Sequence, residues 1–193
     1  MSTKQFDGGL LTGPATDVFV GIDQSYTGFA IAAVSLDGRH HIWVYKSPST
    51  GVERLENIQA FLVRVLDLDL AKRGFKVLDV AMEGYAFTAQ LGHMAGELGG
   101  MVKMTLSDCF PRHEMGKRPL QVPPTSLKKF VTGRGNAKKQ EMLLEVYKRW
   151  GVELRDDNAA DAFGLAKIAS GLAETKAQAE VIDKVESTRD SLT

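Results

Sequence analysis

The sequence predicts a single α/β domain, a mixed five-stranded sheet with helices on both faces, and three observations carry that prediction. Residues 17–46 hold three strand-like runs joined by tight turns. An amphipathic stretch then leads into a second apolar run over residues 76–83, the pattern of a crossover back to the sheet. Beyond it the periodicity is mostly helical. An antiparallel meander of strands 1–3, followed by parallel strands, is the simplest sheet with this order.

The opening "MSTKQFDGGLLTGPAT" is polar, glycine-rich and aperiodic, and residues 1–16 are expected to form a flexible arm. The domain proper is expected over residues 17–173. Its first strands are "DVFVGID", "TGFAIAAVS" and "HHIWVYKS", rich in β-branched and aromatic residues. Asp37-Gly38 between the second and third is a strong hairpin signal, so those two strands should pair antiparallel. Val52, Leu55, Ile58, Phe61, Leu62, Val65 and Leu68 then recur at helical spacing, and Gly74 ends that helix. "KVLDVAME" reads as a buried strand.

The stretch from Ala89 to Leu106 reads as a helix despite Gly92, Gly96, Gly99 and Gly100. Each glycine costs about 1 kcal/mol relative to alanine in a helix interior. That cost implies close backbone packing, against either the sheet or a symmetry-related helix. "RPLQVPP" offers a short fifth strand, and Pro124 suits the first turn of a helix through "TSLKKFV" that "TGRG" breaks. "NAKKQEMLLEVYKRWG" is a further helix, capped by Asn136, with Met142, Leu143, Val146, Tyr147 and Trp150 on one face. "DNAADAFGLAKIASGLA" is the last core helix, with Asp157 or Asn158 as its N-cap and Ala160, Phe163, Leu165, Ala166 and Ile168 as its apolar surface. Residues 174–193 mix charge signs with few large apolar side chains, and a fraying, charged tail is expected there.

At 193 residues, 44% apolar and 25% charged, the chain fits the ordinary soluble class. It has no apolar run of the roughly 18 residues that a bilayer span needs and no signal-peptide pattern at its start, so no membrane partner is expected and the cytoplasm is the default location. Cys109 is alone, which rules out an internal disulfide, and no Cys/His group has zinc-ligand spacing. The net charge is zero, which argues against coating nucleic acid through a global positive field. From Gly116 to Trp150, however, Lys117, Arg118, Lys128, Lys129, Arg134, Lys138, Lys139, Lys148 and Arg149 face only Glu141 and Glu145, a local excess of seven positive charges. Such a segment can follow a phosphate backbone, although a solvated helical face has the same composition.

Chemistry concentrates in carboxylates at the ends of apolar elements. Asp23 closes the first strand, Glu83 closes the buried strand, and Asp157 and Asp161 lie on one side of the last core helix. Singly, each has a plainer reading, as a turn residue, an exposed strand end or an N-cap. Together they are hard oxygen ligands that one sheet could gather, a set suited to Mg²⁺ or Mn²⁺. Two such ions could activate water on one side of a phosphodiester and stabilise the leaving oxygen on the other.

The segments "GIDQSYTGFAI", "MEGYAF", "PPTSLKKFVTGRGNAKKQEML" and "DNAADAFGLA", in this order and spacing, resemble RuvC-type Holliday junction resolvases of the RNase H-like superfamily, notably those of phages. The resemblance spans about residues 17–173, and "KKFVTGRGNAKK" is its most diagnostic block. It implies an RNase H-like fold and a Mg²⁺-dependent endonuclease, with Mn²⁺ as substitute and two ions per site. It further implies branched DNA, above all four-way junctions, as substrate and a homodimer that makes paired nicks. Asp23, Glu83 and Asp161 would be metal-binding catalytic carboxylates, Lys139 would stabilise charge on the phosphoryl oxygens, and Lys128 would hold a phosphate. Lys129, Arg134, Lys138 and Lys139 would join Lys128 in binding DNA.

The family commonly has an acid three residues before its final Asp; here Asn158 stands there, with Asp157 beside it. Asp157 is favoured as the fourth ligand, with the Asn158 amide oxygen as the alternative. Tyr85 and Phe87 straddle the place of the family's junction-probing aromatic, and packing beneath the next helix suits them equally. Two rival functions remain. "GIDQSYTG" could grip ATP phosphates in an actin-like phosphotransferase, but the chain is short for a two-lobed kinase and lacks a second glycine-rich nucleotide motif. A junction-binding protein with a degenerate site is disfavoured by four placed acids and two placed lysines.

Overall fold

The computed structural model describes residues 3–6, 11, 14, 16–84, 92–110 and 118–189. Its frame is one mixed sheet. The strands are β1 (Thr3–Phe6), β2 (Asp17–Asp23), β3 (Phe29–Ser35), β4 (His40–Tyr45), β5 (Lys76–Glu83) and β6 (Leu120–Val122), in spatial order β1-β4-β3-β2-β5-β6. β2, β3 and β4 form the expected antiparallel meander, and β5 and β6 add on parallel to β2. Gly38 turns the β3–β4 hairpin at φ 87°, where Asp37 also accepts from the Arg39 guanidinium at 2.8 Å.

The sixth strand, β1, departs from the expectation of a flexible arm at residues 3–6, while most of residues 7–15 lie outside the described residues. Thr3–Phe6 pairs antiparallel with β4, in register Thr3↔Tyr45 to Phe6↔Ile42. The free edge of β4 offers unpaired backbone groups, and pairing them needs no apolar pattern in the added strand.

Alternation along the strands divides the core in two. Val20, Ile22, Ile31, Trp43, Val80 and Met82 face helix α1 (Gly51–Val63) and helix α2 (Gly92–Cys109). Phe19, Ala30, Ala32, Ile42, Val44 and Ala81 face the helices α3 (Pro124–Thr132), α4 (Lys139–Trp150), α5 (Asp157–Ala169) and α6 (Lys176–Arg189). Within the described residues no helix is long and apolar enough to cross a membrane.

α1 continues as a π-helical stretch, Arg64–Leu70, and a 3-10 turn before Gly74, at φ 83°, ends it as expected. The wider π winding brings Leu66 and Leu70 into the core beside Val65 and turns Leu68 outward, 45% exposed, against the helical-face reading. On α2, Leu98, Val102 and Leu106 join the core on this face of the sheet. Gly92, Gly96 and Gly100 do not supply the close packing expected of them within the subunit, because a Cβ on any of the three would meet nothing within 4 Å.

Pro124 opens α3 and Gly133, at φ 82°, closes it. The N-cap of α4 is Lys138 rather than Asn136: the Lys138 N–H donates to Glu141 Oε2 at 2.9 Å, so the glutamate's reach back replaces an Asn cap. The expected charged tail instead forms α6. Val181 and Val185 recur at one-turn spacing and join the core, and Arg189 donates to both oxygens of Asp79 on β5 at 2.9 and 2.8 Å. A few well-spaced apolar residues and one buried ion pair are enough to hold an otherwise polar helix.

Candidate functional site

β2 and β5 lie side by side and parallel, with Ile22 opposite Met82, so Asp23 and Glu83 end neighbouring strands at the same edge. Carboxyl ends of parallel strands are where open α/β sheets place their ligand crevices. Period-two alternation then aims both carboxylates at one face: Gly21 and Asp23 on β2, and Ala81 and Glu83 on β5, point towards α5.

α5 lies unusually close to the sheet because the contact is made by small residues. A Cβ on Gly21 would sit 2.1 Å from the Ala162 carbonyl oxygen and 2.2 Å from the Ala166 nitrogen. Ala159, Ala160, Ala162 and Ala166 complete the contact with Ala30 and Ala32. This approach carries Asp161 over the edge where Asp23 and Glu83 end. Gly21→Ala is therefore expected to destabilise the fold by about 3 kcal/mol, roughly 6–12 °C in a domain of this size. Thermal unfolding followed by circular dichroism checks it, and an unchanged midpoint would mean that α5 can lift without cost.

The electrostatics record the convergence. Asp23, only 2% exposed, is pushed well above the usual carboxylate range by burial, then by the charges of Glu83 and Asp161, with Asp157 adding to them. Burial also raises Glu83, while its hydrogen bond with Asp23 and the charge of Lys128 pull it down. Both carboxyls therefore favour their neutral form more than free ones do, Asp23 above all. Asp161 is pushed up to about 7 by burial and by Glu83 and Asp157, with Lys139 and Lys128 opposing. Asp157 moves the other way, lowered by its contact with the Lys139 ammonium, which is raised in turn.

The predicted residues therefore divide. Asp23, Glu83, Asp157, Asp161, Lys128 and Lys139 gather at one place. Lys129 turns to α6 and pairs with Glu180 at 2.8 Å. Arg134, in the "GRG" turn, pairs with Glu141 at 3.4 Å, and Lys138 is an exposed cap residue. Tyr85 and Phe87 lie outside the described residues.

Three contributors were not anticipated. Asp156, not Asp157 or Asn158, caps α5, accepting from Asn158 N at 3.0 Å and Ala159 N at 3.4 Å, and so leaves the Asp157 carboxylate to pair with Lys139 beside the other acids. Lys46, just past β4, pairs with Asp156 at 3.5 Å and also lowers Asp157. Gln24 donates through Nε2 to the Glu83 carbonyl oxygen at 2.5 Å. Position beside the expected strand ends is the only sequence signal for Lys46 and Gln24. Asn158 packs on the β2–β3 turn, where a Cβ on Gly28 would sit 2.4 Å from its Nδ2.

The donor set fits a hard divalent cation: burial first, and then mutual repulsion at Asp23 and Asp161, raises these carboxyls, and a cation among them would offset both. As the side chains stand, no three His, Cys, Asp or Glu among the described residues form a closed ligand cage. Asp23 turns to Glu83 instead and Asp157 to Lys139, whose ammonium balances part of the charge.

No protein-family model matches the chain, and no curated protein matches it. Solved structures do. A Thermus thermophilus RuvC structure is 27% identical, with a TM-score of 0.58, over 77% of this chain and 90% of that one. T. thermophilus RuvC in complex with Holliday junction substrate is 26% identical, with a TM-score of 0.60, over the same shares, 77% and 90%. The sheet order, the helices on both of its faces and these matches together make this a RuvC-like, RNase H-like fold.

Proposed function

We propose that the chain is a divalent-cation-dependent endonuclease that resolves four-way DNA junctions by paired nicks, acting as a homodimer in the cytoplasm of a bacterial or phage-infected cell. One observation carries the reading: Asp23, Glu83, Asp157 and Asp161, from three elements, sense one another's charge at a single sheet edge with Lys128 and Lys139 beside them. Support comes also from the likeness to a RuvC bound to Holliday junction substrate.

Asp23, Glu83 and Asp161 would hold the cation, with Asp157 as fourth carboxylate; Asn158 is disfavoured because its amide packs against Gly28. Mg²⁺, or Mn²⁺ in its place, two ions per site, would supply charge neutralisation at the scissile phosphate and an activated water. Lys139 would stabilise charge building on the phosphoryl oxygens, and Lys128 would hold the phosphate. Arg134 and Lys138, exposed nearby, and Lys129, once released from Glu180, would follow the flanking backbone. Tyr85 and Phe87 remain the candidates for probing the junction.

Two cuts at one junction need two sites related by symmetry. The open side of α2, with Gly92, Gly96 and Gly100, is the proposed self-complementary contact. Gly96→Leu is expected to shift the dimer towards monomer by light scattering with circular dichroism unchanged, and an unchanged mass would refute that interface.

Incubating the protein with a synthetic four-way junction and Mg²⁺, beside an ATP-binding assay, tests the whole reading. Symmetric nicks with 5′-phosphates and no ATP binding are expected. ATP binding without cleavage would favour the phosphotransferase, and junction binding without cleavage would leave a degenerate binder.

A further inference from the structure

The parallel ladder between β2 and β5 ends at Ile22↔Met82, one residue short of both carboxylates. On its other side Glu83 is held by β6: it stands in register with Val122, and the Gly84 N–H donates to the Val122 carbonyl at 2.8 Å. On the β2 side no backbone bond among the described residues continues the ladder, and the two carboxyls that end the strands repel each other once both are ionised. Gln24 closes that gap. Its Nε2 donates to the Glu83 carbonyl oxygen at 2.5 Å, across 59 residues of sequence. The orientation of the amide follows from chemistry, since the flipped amide would oppose two oxygens. Its Oε1 is buried and meets no hydrogen-bond donor among the described residues, so the contact with Glu83 alone anchors the amide.

We infer that Gln24 is a positioning residue that holds the Asp23 and Glu83 strand ends at cation-binding spacing, acting through the backbone of Glu83 rather than by touching substrate. This rests on the divalent-cation reading above. Methionine at this position keeps the length of the side chain and loses the donor. Without the tether, a cation would have to draw the two strand ends together as it bound, and its affinity would fall. Partners that orient ligands in this way typically change metal affinity by about 10- to 100-fold.

Calorimetric titration of the full-length protein with MgCl₂ and with MnCl₂, in the absence of DNA, tests the inference on wild type, Gln24→Met and Gln24→Ala, alongside urea unfolding in EDTA. A rise in Kd of about tenfold or more in both variants, with wild-type urea midpoints, is expected. Wild-type affinity in either folded variant would overturn the tether while leaving the nuclease reading intact. Collapse of both variants in EDTA would make Gln24 a residue of the fold and would overturn it as well. Absence of binding by the wild type would remove the divalent-cation reading, and the tether with it.

Discussion

Asp23→Asn and Glu83→Gln should each abolish cutting of a four-way junction while leaving junction binding intact. Asp23 is almost fully buried at the end of β2, and Glu83 ends the neighbouring strand on the same face. Carboxylates repel a phosphate backbone rather than hold it, so replacing either by an amide should not weaken binding. Replacing a carboxylate by its amide keeps the shape and removes the charge that a cation requires. A loss on the order of 10³-fold or more in single-turnover rate is expected, at or beyond the scale seen when one preorganised electrostatic group is removed. Gel shifts in Ca²⁺ or EDTA should show wild-type affinity. Wild-type cutting by either variant would overturn the catalytic assignment.

Asp161→Asn should raise the stability of the cation-free protein at pH 8 and abolish its stabilisation by Mg²⁺. The fold pushes Asp161 from an ordinary 3.8 up to about 7, so the folded state binds more protons than the unfolded chain between those values. Stability contributed by this group therefore falls as pH rises through that window, and the full penalty is present at pH 8. A shift of about three units corresponds to roughly 4 kcal/mol. Because part of the repulsion survives among the remaining acids, about half of that is expected, a gain of roughly 4–8 °C for a domain of this size. Mg²⁺ should raise the wild-type midpoint by mass action and move the variant little. A variant less stable than wild type at pH 8 would mean that Asp161 is tied into the fold and carries no repulsion for a cation to relieve.

The parts of this fold that were legible in the sequence are those whose signal is local. Alternating apolar runs, Asp37-Gly38 and Gly74 need no distant partner to be read, and they correctly yielded β2 to β5 and the end of the first helix. Elements that depend on a distant partner were misread. Thr3–Phe6 becomes a strand only because β4 presents a free edge, and α6 is held by Val181, Val185 and the Arg189–Asp79 pair, 110 residues apart in sequence. The π winding of residues 64–70 likewise answers to packing against the sheet.

The candidate site follows the same division. Carboxylates at strand ends could be read because alternation and parallel pairing bring Asp23 and Glu83 together, and helical spacing sets Asp157 with Asp161. Who caps α5 could not be read, since Asp156, Asp157 and Asn158 are all competent caps and only the contact with Lys46 and the freeing of Asp157 distinguish them. Lysine spacing likewise could not separate Lys128, whose charge reaches Glu83 and Asp161, from Lys129, which Glu180 holds.

Anomalous diffraction from crystals grown with MnCl₂ tests the central claim most directly. Manganese density bounded by the Asp23, Glu83 and Asp161 carboxylates is expected. Manganese bound elsewhere, with those three side chains too far apart to share an ion, would contradict the nuclease reading.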